Sequence, residues 1–243
     1  MNDATVRELM HEAIHAERRG QFAAACANLR QAITLAGDTM LALDARLRLG
    51  KLLVHTSAGT EADQVITEAR RQAEQLGAPR QTAAAIHLRA LLQRRRFRYD
   101  EARRLLDASP AKSAIDSPTS ETGQYWHYRG LVIADQGELA QGERMLFRAH
   151  QVYQELQDKA GLAEVCDSLA NLLLRRGKTR VALVFAEQSL KLKREAKDRY
   201  GEAITLGTNR LQVRYDDAAR MFAEDLATAR ELGDTRVRSL AAV

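Results

Sequence analysis

Apolar residues along the chain recur at helical spacing, at i, i+3, i+4 and i+7, in segments of about 15 residues separated by short polar turns. No stretch alternates apolar and polar with the Val, Ile, Thr and Tyr richness of a half-buried strand. The segments come in pairs. Turn residues Gly20, Gly59, Gly137 and Gly177 fall inside the pairs, and LAGD, LGAP, LQDKAG, AKDRYG and LGD fall between them. Each pair therefore predicts a helical hairpin. Pro79, Pro110 and Pro118 all lie at or between predicted helix ends, where the missing N–H and the ring clash are tolerated.

The hairpins repeat. Small residues stand at positions 62, 102, 142 and 182, each a few residues after a turn signal. The same template fits RGQFAAACANLRQA near the start and RYDDAARMFAEDLA near the end. The predicted repeats are 4–38, 39–78, 79–121, 122–159, 160–198 and 199–234, within a single domain spanning 1–243, followed by a partial capping helix at 235–243. That last segment reads as a cap, a truncation, or a docking face through which a second copy would form a homo-oligomer. Gly50 and Gly130 in first helices, with Ala25, Ala62, Ala102, Gly142, Ala182 and Ala218 in second helices, are expected where two helices cross too closely for a larger side chain. The Ser/Pro/Asp-rich stretch 107–123 replaces the end of a second helix and predicts a hinge loop.

This pattern resembles the tetratricopeptide repeat family. The residues that carry the likeness are Trp126 with Gly130 and Ile133, Leu49 and Gly50 with Leu53, and Leu169 and Ala170 with Leu173, together with the second-helix run Phe22, Ala25, Leu29 and Ala32. The 40-residue period is similar to the longer repeats of kinesin light chains and of bacterial regulators. The resemblance implies an all-α, right-handed superhelical solenoid of about six hairpins, a non-enzymatic module whose first helices line a concave face. On that face it implies a partner-binding groove of Lys51, His55, His87, Leu91, Arg94, Arg95, His127, Leu131, Asn171 and Arg175, flanked by Leu47, Val54, Asp135, Asp167 and Leu174. The mixture of apolar spots, cations and an amide suits a peptide or protein. The family's carboxylate clamp finds only Lys51 and Asn171 of the right type, three repeats apart.

Composition sharpens this picture. Apolar residues are 45% and aromatics only 5%, so Ala and Leu supply the core and helix propensity is high throughout. Cys26 and Cys166 are too far apart for a CxxC pair, which fits a reducing cytoplasm. The start MNDATVRELM lacks a signal-peptide pattern, and no apolar run is long enough for a membrane.

Three motifs suggest other chemistry. His11, Glu12 and His15 fit H-E-x-x-H, but no third ligand follows at metzincin spacing, so the match reads as coincidence on an ordinary first helix and no metal is expected. Gly177, Lys178 and Thr179 resemble the end of a phosphate loop, yet Leu172 stands where its first glycine belongs. No catalytic set and no cofactor is implied. Arg89 to Arg104 holds seven arginines against Asp100 and Glu101, equal to the whole chain's net charge of +5. It reads as a solvated face, an acidic-partner site or, less favoured, a nucleic-acid site. A further alternative is a sensor domain that encloses a small molecule or a signalling peptide.

Overall fold

The computed structural model describes residues 3–56, 59–112 and 117–209. These form an all-helical repeat solenoid, with no strand among the described residues. In order the helices are α1 (Asp3–Arg18), α2 (Phe22–Ala36), α3 (Met40–Thr56), α4 (Gly59–Gln75), α5 (Pro79–Arg95) and α6 (Tyr99–Asp107), then α7 (Ser120–Asp135), α8 (Leu139–Glu155), α9 (Lys159–Arg175), α10 (Thr179–Glu195) and α11 (Arg199–Asn209). A 3-10 turn, Pro110–Lys112, follows α6. Each helix packs mainly on its neighbours in sequence, and first helices also touch the first helix of the next hairpin. Ala218, the second helix of the 199–234 repeat and the capping segment 235–243 lie outside the described residues.

The turns share one backbone device. Within hairpins the chain reverses through left-handed φ at Phe97 (59°), Gly137 (97°) and Gly177 (71°); between hairpins it does so at Gly37, Gly77, Gln157 and Lys197. Both series step by the repeat length. At each within-hairpin turn the next N–H reaches back to a first-helix carbonyl, Arg98 to Gln93 at 2.9 Å, Glu138 to Ile133 at 3.2 Å and Lys178 to Leu173 at 2.8 Å, satisfying groups that a helix end leaves orphaned. Gly59, expected in such a turn, is instead the first residue of α4.

The small residues do sit at helix crossings. Ala25, Ala62, Ala102 and Ala182 are buried. A Cβ on Gly142 would lie 2.8 Å from the Gly130 carbonyl oxygen and 2.8 Å from Ala134 Cβ, so α7 and α8 are in near-backbone contact there. Around these crossings Leu29, Leu49, Ile66, Leu106, Ile133, Leu146 and Leu169 form the continuous buried interior.

The third hairpin departs from the pattern. Its second helix, α6, has 9 residues where α4, α8 and α10 each have 17. The described flanks of segment 107–123 are tied down: Asp107 pairs with Arg129, Ser109 lies 2.7 Å from His87, and Thr119 and Thr122 close a reciprocal capping box that starts α7. Residues 113–116 of the predicted hinge lie outside the described residues.

The solenoid curls until its first and sixth hairpins meet. The rings of Phe22 and Tyr200 stack edge to face at 4.6 Å, and Tyr200 packs so near Gly20 that a Cβ there would lie 3.2 Å from its ring. The concave side is thereby a partly enclosed lumen.

Two substitutions test this reading of the backbone. Gly142→Val should cost about 1 to 3 kcal/mol through overpacking, lowering the thermal midpoint by several degrees in a circular-dichroism melt. Phe97→Gly, at an exposed left-handed turn, should raise the midpoint, because a side chain there is strained.

Candidate functional site

The lumen is walled mainly by the first helices α1, α3, α5, α7, α9 and α11, with the end of α10. It has two joined compartments. One of about 490 Å³ is lined by Leu91, Arg94, Arg95, His127, Tyr128, Leu131, Asp135, Asp167, Asn171 and Arg175, among others. The second, of about 740 Å³, lies toward α1 and α10, and both are bordered by Glu17, Lys51, His55, Arg95, Glu164 and Lys193. These volumes are in the usual range for ligand sites.

Positions one repeat apart form rungs along this wall. The rung 55, 95, 135, 175 reads His55, Arg95, Asp135, Arg175, and the rung 51, 91, 131, 171 reads Lys51, Leu91, Leu131, Asn171. Ion pairs connect the rungs: Arg94 Nε donates to Asp135 at 2.7 Å and Arg175 donates to the same carboxylate at 3.2 Å. Arg48 pairs with Glu17 at 2.6 Å, and Lys193 pairs with Asp167 while also meeting Thr205. Lys51 on α3 reaches Glu164 on α9 at 2.5 Å, joining helices 113 residues apart in sequence across the lumen. Their side chains remain 35% and 41% accessible, so the pair faces water inside the lumen rather than a dry core.

Electrostatics follow from these contacts. Burial alone would push the Glu164 carboxyl up, yet the facing Lys51 ammonium outweighs it and holds the group down to about 2. Lys51 is likewise raised, against its burial, by Glu164. Burial first, then the Lys51 charge, lowers His55. Burial also pushes the Tyr128 hydroxyl up to about 12. His127 is pushed down to about 4, chiefly by burial. Its hydrogen bonding shows which nitrogen carries the proton. Ser168 Oγ donates to the Glu164 carbonyl at 3.1 Å, so it accepts from His127 Nε2 at 2.8 Å, and Nδ1 is left as a buried acceptor without a partner.

Of the residues expected in the groove, Lys51, His55, Leu91, Arg94, Arg95, His127, Leu131, Asn171 and Arg175 line the lumen, with Asp135 and Asp167. His87 does not. It is 0% exposed, with its Nε2 within 2.7 Å of Ser109 Oγ and its ring 6.4 Å from that of Tyr128. The cause lies in the next repeat. His87 faces Tyr128 where His127, one repeat on, faces Ser168, and the larger ring covers the first histidine. Val54 is also in the core, Leu174 packs on the core beneath the fifth hairpin, and Leu47 borders a separate recess with Asp44 and Arg80.

Sequence reasoning missed Glu164, Tyr128 and Tyr200. Glu164 belongs to a rung of its own, 44, 84, 124, 164, whose other members are Asp44, Ala84 and Gln124, so periodicity could have drawn attention to it. Nothing periodic indicates that Tyr200 meets Phe22.

The arginine run does not form one patch. Arg89 and Arg96 both approach Asp63, at 3.5 and 3.3 Å, Arg94 holds Asp135, Arg98 lies 3.9 Å from Glu101, and Arg95 turns into the lumen. Five of the seven arginines thus point to separate partners or to the lumen rather than to one face. His11 and His15 are exposed on α1 with rings 4.4 Å apart, and Glu12 accepts from Asn28 at 3.3 Å; among the described residues no group of three or more metal-ligating side chains gathers. Both cysteines are buried and unpaired. Among the described residues no helix is long and apolar enough to cross a membrane.

No protein-family model matches the chain, and no curated protein matches it. Solved structures do. The Rap conjugation gene regulator of the plasmid pLS20, in complex with the Phr* peptide, superposes with a TM-score of 0.74 at 13% identity over 92% of this chain. This chain spans 63% of that regulator's length. The apo form of RapI gives a TM-score of 0.58 at 13% identity, covering 97% of this chain and 94% of that one. The TPR-like repeats of a kinesin light chain from Podosopora anserina give 0.50 at 15% identity, covering 79% and 96%. At such identities the likeness is one of fold, and that fold is the tetratricopeptide-type helical solenoid.

The two buried imidazoles make stability depend on pH. Burial pushes His87 and His127 each down to about 4, against an ordinary 6.5 in the unfolded chain. Their neutral state is fully compatible with folding above pH 6.5; as pH falls from about 6.5 toward 4 the unfolded chain gains protons that the folded one refuses, so stability is lost. Glu164 adds a loss of its own between 4.5 and about 2. The thermal midpoint should therefore fall between pH 7 and 5, and fall less in the double variant His87→Gln, His127→Gln. Equal slopes for the two proteins would exclude these histidines as the cause.

Proposed function

We propose that the chain is a non-enzymatic binding module that holds a peptide, or an extended segment of a partner protein, in its lumen. The observation that carries this reading is the lumen wall itself. Its charged groups are arranged as rungs at the repeat spacing and retain solvent access, while half-buried Leu131 supplies apolar surface between them over a floor formed by the buried Leu91 and Tyr128. A repeating alternation of apolar spots and hydrogen-bonding groups suits a chain molecule with its own repeating backbone, since side chains fill the apolar spots and polar groups fix register. The fold's likeness to a regulator solved with a peptide supports the same reading.

A sensor role is the second reading, favoured by that same likeness to a regulator in complex with the Phr* peptide. Under it the lumen ligand is a free signalling peptide or small molecule, and its binding would be passed to other parts of a larger assembly. Thermal shift with cell-extract fractions below a few kDa separates the two: stabilisation by the small fraction favours the sensor, stabilisation by the protein fraction alone favours the partner-binding module.

Leu131→Trp should fill the lumen and abolish partner capture in affinity purification, with helicity unchanged. Val184→Trp, at a position 60% exposed on α10, should leave capture intact. Capture unaffected by Leu131→Trp would show that the lumen is not the binding face.

A further inference from the structure

On the wall of the first compartment one cation has no carboxylate partner among the described residues. Asp135 pairs with both Arg94 and Arg175, Glu164 answers Lys51, Asp167 answers Lys193 and Glu17 answers Arg48. Arg95 stands on the same rung as Asp135 and Arg175, borders both compartments and is exposed to them, yet no carboxylate among the described residues comes within ion-pair distance of it. The rung is thus closed at its 135 and 175 end and open at its 55 and 95 end. His55, the neighbouring member of the rung, is also exposed to the lumen, and the Arg95 charge is among the influences that lower its imidazole, after burial and Lys51. A guanidinium presents a planar fork of donors, and an imidazole adds an N–H beside it.

We propose that Arg95, with His55 beside it, seats a carboxylate of the bound peptide and so selects acidic ligands. This rests on the peptide-binding reading and names the chemistry of its recognition. The charge balance of the wall favours a single carboxylate over a polyanion. Five carboxylates, Glu17, Asp135, Glu164, Asp167 and Asp198, border the first compartment, and a phosphate chain would meet them as well as Arg95. A monovalent, planar anion matches one free fork and disturbs none of the existing pairs. The seat lies at the junction of the two compartments, so a peptide anchored there has room to extend in either direction.

The probe is a pool of synthetic hexapeptides with randomised positions, in one arm ending in a free carboxylate and in the other amidated. Each pool is equilibrated with the purified chain, and retained peptides are read by mass spectrometry. Expected is enrichment of Asp and Glu over Asn and Gln in both arms if a side chain occupies the seat, or enrichment of the free-acid pool alone if the chain terminus does. A retained acidic peptide should then bind Arg95→Glu at least about tenfold more weakly, as expected for loss of a charge-assisted pair. Arg95→Lys, which keeps the charge without the fork, should fall between. Arg104→Glu, exposed on α6 outside the lumen, should bind as the parent does. Circular dichroism of each variant confirms folding. Retention of peptides with no acidic preference, or equal binding by Arg95→Glu, would overturn the seat while leaving the lumen reading in place. Retention of no peptide in either arm would overturn both.

Discussion

The structure depends on how closely two helices of a hairpin can approach. An amphipathic helix of some 15 residues cannot bury its apolar stripe alone, and it gains most when its partner's backbone comes near enough for side chains on either side of the crossing to interlock. Gly130 against Gly142 is the limiting case, with no room for a Cβ on Gly142 and only a tight fit for one on Gly130. The same requirement is met by alanine at 25, 62, 102 and 182. Because every hairpin solves it in the same way, successive hairpins carry the same outward shape, and each offers its neighbour the same surface to stack on.

Uniform stacking has a geometric consequence for the charges. When first helices all end at the same inner edge, equivalent positions become adjacent rungs, and a charge at one rung can reach the next. Arg175 meeting Asp135 is such a contact, one repeat apart, and Arg176 meeting Glu143 repeats on the rim what Arg96 does with Asp63 two repeats earlier. Half-exposed pairs of this kind contribute at most about 1 kcal/mol each.

What the sequence made legible was what repeats. Period and hairpin boundaries follow from local pattern, and most expected lumen residues stand where the resemblance to tetratricopeptide repeats put them. The failures are places where one repeat differs from the next. His87 and His127 occupy equivalent positions, but Tyr128 covers the first and Ser168 leaves the second at the cavity edge. Both rings are buried, but only His127 borders the lumen, so equivalence of position did not give equivalence of surroundings. The cross-lumen contacts, Lys51 with Glu164 and Phe22 with Tyr200, depend on the accumulated curvature of five hairpins, a quantity that no single repeat encodes. The arginine run misled for a related reason: residues adjacent in sequence around a helix end point to different sides, so a dense linear cluster becomes several separate ion pairs.

The partly enclosed lumen also explains why its charges are mostly paired. A wall of unpaired cations would repel itself and favour opening, whereas a wall of pairs is close to neutral and can curl shut around water. Pairing in turn restricts what can bind. A ligand group that competes for Asp135 or Glu164 must first displace an arginine or a lysine, and the displaced cation then needs a new partner in a confined space. Polar recognition in such a lumen is favoured only where a partner is missing, so a wall that looks rich in charge offers few places at which a ligand's charge is welcome, and discrimination between ligands arises from the many positions that refuse it.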